Sequence, residues 1–508
     1  MSGVLSNLSF RAAALRGSAT ALIIPDERSF TFAEIDALAA RFAGGLASQG
    51  IERGASVVLY LPNGWRWVVA YHAIARIGAV VIPTNILLTP QEVRYMAQDA
   101  GALALIVPDE AQALFDAPVG FVVTPGGAPG TVPFDDLTRA APLAPATTAP
   151  DDLLAISYTS GTTGKPKGVM LSHGNVMASV THTATIHVRH ADDRVYSALP
   201  LPHVYGNVVM NACFLTGAGL VCPQRFDAGR AIAAIPQHRI TLFEGVPTMY
   251  YQMLAHPAMD LTDFSSLTRC TVGGQTMPTT KLDAAAARLG CPVLELWGMT
   301  EVAGPATSHS PYWPARHGSI GLPFPGTQVS LRDLEHPGRE AARGAPGELA
   351  VRGPLVTTGY WRCPDATAEA LDSEGWLLTG DIATRDGDGY LFIVDRKKDM
   401  ILTAGYNIYP AELEQVIAMH VDVGMVAVAG FPDEEKGELA HAFVVPRDGA
   451  TVTVEALVAH CRSHLAAYKV PRAVHFVQDL PRTSSGKIMR RALTAPDASA
   501  ISGQGALP

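Results

Sequence analysis

The residues with the clearest chemical character lie in one run, Tyr158-Thr159-Ser160-Gly161-Thr162-Thr163-Gly164-Lys165-Pro166-Lys167-Gly168. Its glycines let backbone N–H groups turn inward toward an anion. The hydroxyls of Thr159, Ser160, Thr162 and Thr163 add donors, and Lys165 and Lys167 add positive charge. Such a run suits a triphosphate. It is not a Walker A loop, which spaces its glycines G-x-x-x-x-G-K-[ST] and feeds a helix. Pro166, directly after Lys165, opposes a helix interior. The plain alternative is a solvated Gly/Thr/Lys turn, and eleven consecutive residues this specific weigh against it. Other candidates each carry a bland reading beside a chemical one. Trp297 and Glu301 could be a buried ring beside an ion pair, and His203 a satisfied core histidine. Asp381 follows Gly380, as turn residues do. The run Asp395-Arg396-Lys397-Lys398-Asp399 reads as solvated charge, and Lys487, after Ser-Gly, as a surface lysine.

Stepping outward, the elements that must hold these residues alternate. Leu153–Ser157 and Val169–Leu171 are short apolar runs, so the loop joins two strands. Helical spacing covers 31–50, a strand 57–61, a helix 65–77 closed by Gly78, and a strand at 80–84. This alternation predicts an α/β fold of layered sheets and helices for the large N-terminal part. The stretch 109–151 reads as an irregular surface connection, because Pro/Gly-rich segments interrupt it. Val208–Cys222 is too short for a membrane helix and reads as a buried helix and strand. An apolar strand ends at Asp381. Beyond 399, strands at 423–429 and 442–445 and helices at 411–419 and 454–465 predict a small α+β lobe. The tail after 493 is Ala/Ser/Gly-rich and is expected to be disordered.

Composition sets limits. The chain has 508 residues, 48% hydrophobic and 17% charged, with net charge −9. That balance is globular, and the acidic surface argues against a nucleic-acid partner. Its six cysteines are scattered, without zinc spacing, which fits a reduced cytoplasmic protein. Arg11 and Arg16 precede no compact apolar run, so a secretory signal is not expected. Homodimer formation stays open.

The loop at 158–168, the Trp297-Gly298-Met299-Thr300-Glu301 cluster and the Ser485-Gly486-Lys487 end occur in the order seen in the adenylate-forming superfamily, which this chain resembles from about residue 19 to 491. That superfamily holds acyl-CoA synthetases, adenylation domains of peptide synthetases, and luciferases. The resemblance implies ATP and Mg²⁺ as cofactors. It assigns the phosphates to Thr159, Ser160, Gly161, Thr162, Thr163, Gly164, Lys165 and Lys167. The turn at Gly273, Gly274 and Gln275 would meet adenine, and the face of Trp297 would cover it. Most members carry Tyr at that position, so a phenol contact is lost. Gly298 and Met299 follow in the same strip, Thr300 would reach the α-phosphate, and Glu301 would bind Mg²⁺. Asp381 would accept the ribose hydroxyls, and Arg396 would touch the nucleotide in one state. The acid pocket would be lined by His203, Tyr205, Val246, Met249, Gly273 and Gly298. The resemblance further implies a large domain at 1–394, a hinge at 395–398 pivoting on Lys398, and a mobile domain at 399–493. That domain would bring Lys487 in for adenylation, then Gly405, Tyr406 and Asn407 for the thioester step with coenzyme A. Gly359-Tyr360-Trp361 is taken as a mainly structural anchor.

Among members, the runs Gly359-Tyr-Trp and Asp395–Ile401 resemble acid–CoA ligases of fatty and aryl acids. The alternative is an acyl-AMP ligase that loads a carrier protein; no carrier domain follows the lobe. A nucleotide-binding regulator without catalysis is opposed by the presence of Lys487, Glu301 and Asp381. The pocket segments contain no Arg or Lys for a second carboxylate, nor an Asp for an ammonium group, which points to an apolar acid.

Overall fold

The computed structural model describes residues 3–159, 166–403, 406–433, 435–447, 449–481 and 488–494. Among the expected site residues, Ser160, Gly161, Thr162, Thr163, Gly164, Lys165, Gly405 and Lys487 lie outside the described residues, as does the tail from 495. The chain divides into two compact units. The first is Met1–Gln275, Asp283–Val329 and Val351–Leu377; the second is Thr276–Leu282, Ser330–Ala350 and Leu378–Pro508.

The first unit is built on two sheets with helices. One has the strand order 322–323, 304–308, 293–299, 269–272, 242–245, 194–197, 219–221, 20–24, 28–31. Its central strands, from Val293–Met299 to Arg194–Ser197, run parallel. Their residues are almost wholly buried, as expected when helices cover both faces. The other sheet runs 132–133, 121–124, 104–106, 56–59, 80–83, 153–159, 167–172. Its last two strands are the antiparallel pair on either side of residues 160–166 in the chain.

Local signals explain the helices. Phe32–Ser48 starts in a capping box, Thr31 accepting from Glu34 N and Glu34 reaching back to the Thr31 backbone, which satisfies two otherwise orphaned donors. Trp65–Ile77 stops at Gly78, whose φ of 79° is left-handed. Only glycine adopts that conformation without cost.

The stretch 109–151 departs from expectation. It contributes the strands Phe121–Thr124 and Val132–Pro133 to the sheet edge and the short helix Phe134–Leu137. Phe134 is buried and stacks on Phe42, with ring centroids 4.2 Å apart. Elements of two to four residues are shorter than any window in which apolar periodicity becomes visible.

Two sheets serve the second unit. Most of a four-stranded sheet lies in it, in the order 328–332, 347–352, 377–385, 391–396. A five-stranded sheet pairs 406–408, 401–403, 437–446 and 423–433, with 473–476 added parallel on 437–446. The helices Pro410–Ala418 and Val454–His464 cover it, and Leu413, Ile417, Val428, Val444 and Leu457 form its core. The fold is therefore the expected α/β assembly with a smaller α+β body. Asp381 differs in detail: it sits inside the strand Leu377–Arg385, not at its end. Among the described residues no helix is long and apolar enough to cross a membrane.

Candidate active site

Four candidate segments of the first unit follow the carboxyl ends of neighbouring parallel strands. Segment 198–203 follows Arg194–Ser197, Val246 follows Leu242–Gly245, Gly273 follows Arg269–Val272, and Trp297–Glu301 closes Val293–Met299. Open α/β sheets bind ligands at this edge. His203 caps the helix Val204–Thr216, its Nδ1 accepting from Tyr205 N at 3.3 Å. Val246 is the N-cap of the helix Pro247–Ala255, on which Met249 is buried. Gly273 has Leu296 so close that a Cβ would stand 2.2 Å from its Cδ1. Gly274, beside half-buried Gln275, has a left-handed φ of 86°.

Trp297 is buried and pairs with Thr307 across the strand. At Gly298 a Cβ would lie 1.9 Å from Gly304 O, so the backbone contact alone requires glycine. Thr300–Val302 forms a 3₁₀ turn directly after Met299. Glu301 is 7% exposed, its carbonyl accepts from Thr357 N at 2.8 Å, and its Oε1 accepts from the Tyr360 hydroxyl at 2.9 Å. Thr159 and Lys167, both in the run expected to bind phosphates, are cross-strand partners. Lys167 Nζ stands 5.6 Å from the centroid of the Tyr360 ring, within cation–π range. Burial, then the Glu301 charge, pushes the Tyr360 phenol well up, so it stays protonated. The structure thus brings Lys167, Glu301 and Tyr360 together, and Tyr360 had carried no functional expectation.

A second unforeseen group surrounds Tyr205, one of the residues expected to line the acid pocket. The Tyr205 hydroxyl donates to Glu244 Oε2 at 3.0 Å and lies 2.7 Å from Thr271 Oγ1. Thr271 also hydrogen-bonds Glu244, and Glu244 forms an ion pair with Arg189. Neither charged side chain has any exposure. Burial first, and Glu244 next, raise the Tyr205 pKa well above the usual phenol value.

In the second unit, Asp381 and Arg396 are cross-strand partners, with Nε 2.5 Å from Oδ1. Asp381 is buried at 3% exposure. The charged run after 394 was expected to be exposed throughout. Lys397 and Lys398 are, but Asp395 is 3% exposed. It accepts from Arg396 N and Ala411 N, each at 2.7 Å, and its Oδ1 lies 3.4 Å from Arg490. Hydrogen bonds to two backbone amides explain why this one charge turns inward. Lys397 pairs with Glu348 at 2.7 Å. Tyr406 stacks on Tyr468 at 4.8 Å, and Asn407 pairs with Leu402 in the sheet.

The residues fit a magnesium-bound nucleotide. Glu301 is a carboxylate whose Oε1 is held by the Tyr360 hydroxyl, and a carboxylate oxygen together with substrate phosphates is the usual magnesium arrangement.

Comparison with known proteins agrees. The AMP-binding enzyme family matches residues 9–361, and the AMP-binding enzyme C-terminal domain matches 412–487. A feruloyl-CoA synthase from Amycolatopsis sp is 37% identical, with 96% of each chain covered. A long-chain-fatty-acid–CoA ligase from Bacillus subtilis (strain 168) is 34% identical over 92% of this chain and 90% of its own. The crystal structure of ATP-bound MatB from Rhodopseudomonas palustris superposes with a TM-score of 0.89 at 30% identity, covering 97% of this chain and 98% of its own. By family match, length covered and fold, this chain belongs to the AMP-binding, adenylate-forming enzymes, in their acid–CoA ligase branch.

Proposed function

We propose that this acid–CoA ligase joins an apolar fatty or aryl acid to coenzyme A through an acyl-adenylate, using ATP and Mg²⁺. The observation that carries the reading is the placement of four candidate segments at one edge of four parallel strands. A carboxylate is a poor electrophile, and its attack on the α-phosphate pairs two anions. Positive charge and donors are therefore the main requirement. The run Thr159–Lys167 would hold the leaving phosphates, with Thr300 at the α-phosphate. Bound Mg²⁺ would neutralise charge on the departing pyrophosphate, held through Glu301. Trp297, Gly274 and Gln275 would enclose adenine, and Asp381 would meet ribose once Arg396 releases it. Lys487 would bridge the acid and the α-phosphate, a positional role as much as a charge one.

For the second half-reaction a thiol attacks the adenylate and AMP leaves. Lys487 has no further use there, and rotation about 395–398 would exchange it for the 405–407 loop. The acid itself meets Tyr205, Val246, Met249 and Gly273. Arg189, linked to Tyr205 through Glu244, is already committed to that carboxylate, which supports an acid without a second charge. The six unpaired cysteines support a cytoplasmic setting.

The test is pyrophosphate release over acids of graded length and aromaticity, with and without coenzyme A. Apolar acids should release it and consume the thiol; silence with every acid would end the reading. Lys487→Ala should cut adenylation by at least about 100-fold while thioester formation from supplied acyl-adenylate stays within a few-fold. Equal loss of both steps would contradict the two-state mechanism.

A further inference from the structure

The backbone around Tyr360 is tied on several sides. Tyr360 bridges antiparallel to Val169. Met170 N donates to Gly359 O at 3.0 Å, and Trp361 N donates to Gly168 O at 2.7 Å. Thr357 Oγ1 donates to Met170 O at 2.5 Å, while Thr357 N reaches Glu301 O. Tyr360 N donates to Thr367 Oγ1 at 2.9 Å. Residues 357–361 therefore strap the strand leaving the phosphate loop to the turn that carries Glu301. An anchor needs nothing more than these main-chain bonds.

The phenol does something the anchor does not require. It spends its one proton on Glu301 Oε1. A carboxylate accepts through two oxygens, and here the phenol holds Oε1 and leaves Oε2 to face elsewhere. A free carboxylate would rotate about its last torsion and present either oxygen, or both.

We infer that Tyr360 is a positioning residue for magnesium-nucleotide binding: its hydroxyl holds Glu301 by one oxygen and presents the other to the cation. This rests on the assignment of Glu301 proposed above. The Tyr360 ring also lies within cation–π range of Lys167 Nζ.

The experiment uses the full chain without acid or coenzyme A, so that no turnover occurs. ATP is titrated calorimetrically with Mg²⁺ and with EDTA, and AMP with EDTA. Tyr360→Phe keeps the ring and removes the hydrogen bond. It should weaken ATP binding in Mg²⁺ about tenfold, as expected for a hydrogen bond to a charged group, and leave AMP binding in EDTA within about twofold. Glu301→Gln should show the same metal-specific loss, and the double variant should be no weaker than Glu301→Gln alone. Unchanged ATP binding in Tyr360→Phe, equal loss for ATP and AMP, or multiplied losses in the double variant would each overturn the inference. Should Phe at 360 prevent folding, Tyr360→His carries the same cycle, and non-additivity with Glu301→Gln is again required. If the wild type binds ATP equally in Mg²⁺ and EDTA, the Glu301 assignment fails first, and this inference with it.

Discussion

Each unit holds an arginine fixed by carboxylates, and the two are held in opposite ways. Arg189 meets a single carboxylate, Glu244, with both side chains sealed from water. Among the described residues its Nε and Nη1 have no hydrogen-bond partner. Arg490 is 23% exposed and meets three carboxylates: Glu414 at 2.7 Å, Asp399 at 3.1 Å and Asp395 at 3.4 Å. Burial works against the Arg490 charge, but the carboxylates outweigh it and raise its pKa. On Asp395 the balance goes the other way: burial pushes the carboxyl up to about 6 although Arg490 pulls it down. A sealed one-to-one pair is rigid and cannot lose a member cheaply. A wetter one-to-three cluster is redundant. The first holds Tyr205 in the proposed acid wall. The second ties residue 490, close to Lys487, to the turn at 395–399 proposed as the hinge. On the proposed function, rigidity would sit where the acid pocket needs shape, and redundancy where the hinge segment would change partners.

The largest expected effect tests the sealed pair. Glu244→Ala leaves Arg189 buried without its partner and should cost roughly 3–5 kcal/mol in denaturant unfolding. Arg189→Met with Glu244→Leu should recover most of that loss. A cost below about 1 kcal/mol for the single variant would remove the contrast. Next, Arg490→Met should destabilise the second unit by about 1–3 kcal/mol and, on the proposed function, slow pyrophosphate release. Glu414→Gln should cost under about 1 kcal/mol, because two carboxylates remain. If Glu414→Gln cost as much as Arg490→Met, redundancy would be the wrong description.

The titration behaviour sharpens the contrast further. Asp395 carries a folded pKa of about 6 against an ordinary 3.8. Its folded form holds the proton longer, so its contribution is full below 3.8 and is lost as pH rises through 6. Within that window the slope is about 1.4 kcal/mol per pH unit. Asp395→Asn should abolish this slope. Melting curves of wild type and variant between pH 4 and 7 check it: the wild type should lose stability relative to the variant as pH rises. A parallel pair of curves would place Asp395 in water.

These two clusters also mark the limit of what the sequence made legible. The runs at 158–168 and 297–301 stood out as candidates because each is contiguous, and its residue types suggest chemistry without a partner elsewhere. The flanking strands were readable as apolar runs, and the end of the helix at Gly78 as a left-handed cap. Arg189 and Glu244 are 55 residues apart, and Tyr360 and Glu301 are 59 apart. Pairings over such distances leave no periodicity behind. The charged run at 395–399 misled for a related reason: nothing local separates Asp395, which turns inward to backbone amides, from Lys398, which faces water. Segment 109–151 hid two strands because each is too short to show alternation.

The smallest expected effect concerns a mild departure from the adenylate-forming pattern noted in the sequence, Trp297 in place of Tyr. The ring is buried on the strand Val293–Met299, with Thr307 opposite. Either aromatic offers a flat apolar face, and such contacts differ by about 1 kcal/mol or less between rings of similar size. Trp297→Tyr should therefore change the KM for ATP by no more than about threefold, whereas Trp297→Ala, which removes the face, should raise it about tenfold or more. Initial rates at saturating acid separate the two. A tenfold loss with Tyr would mean that the size or the N–H of the indole makes a contact stacking does not supply. In that case the first unit would be as intolerant at its nucleotide face as it is at Arg189, and its rigidity would extend along the whole sheet edge.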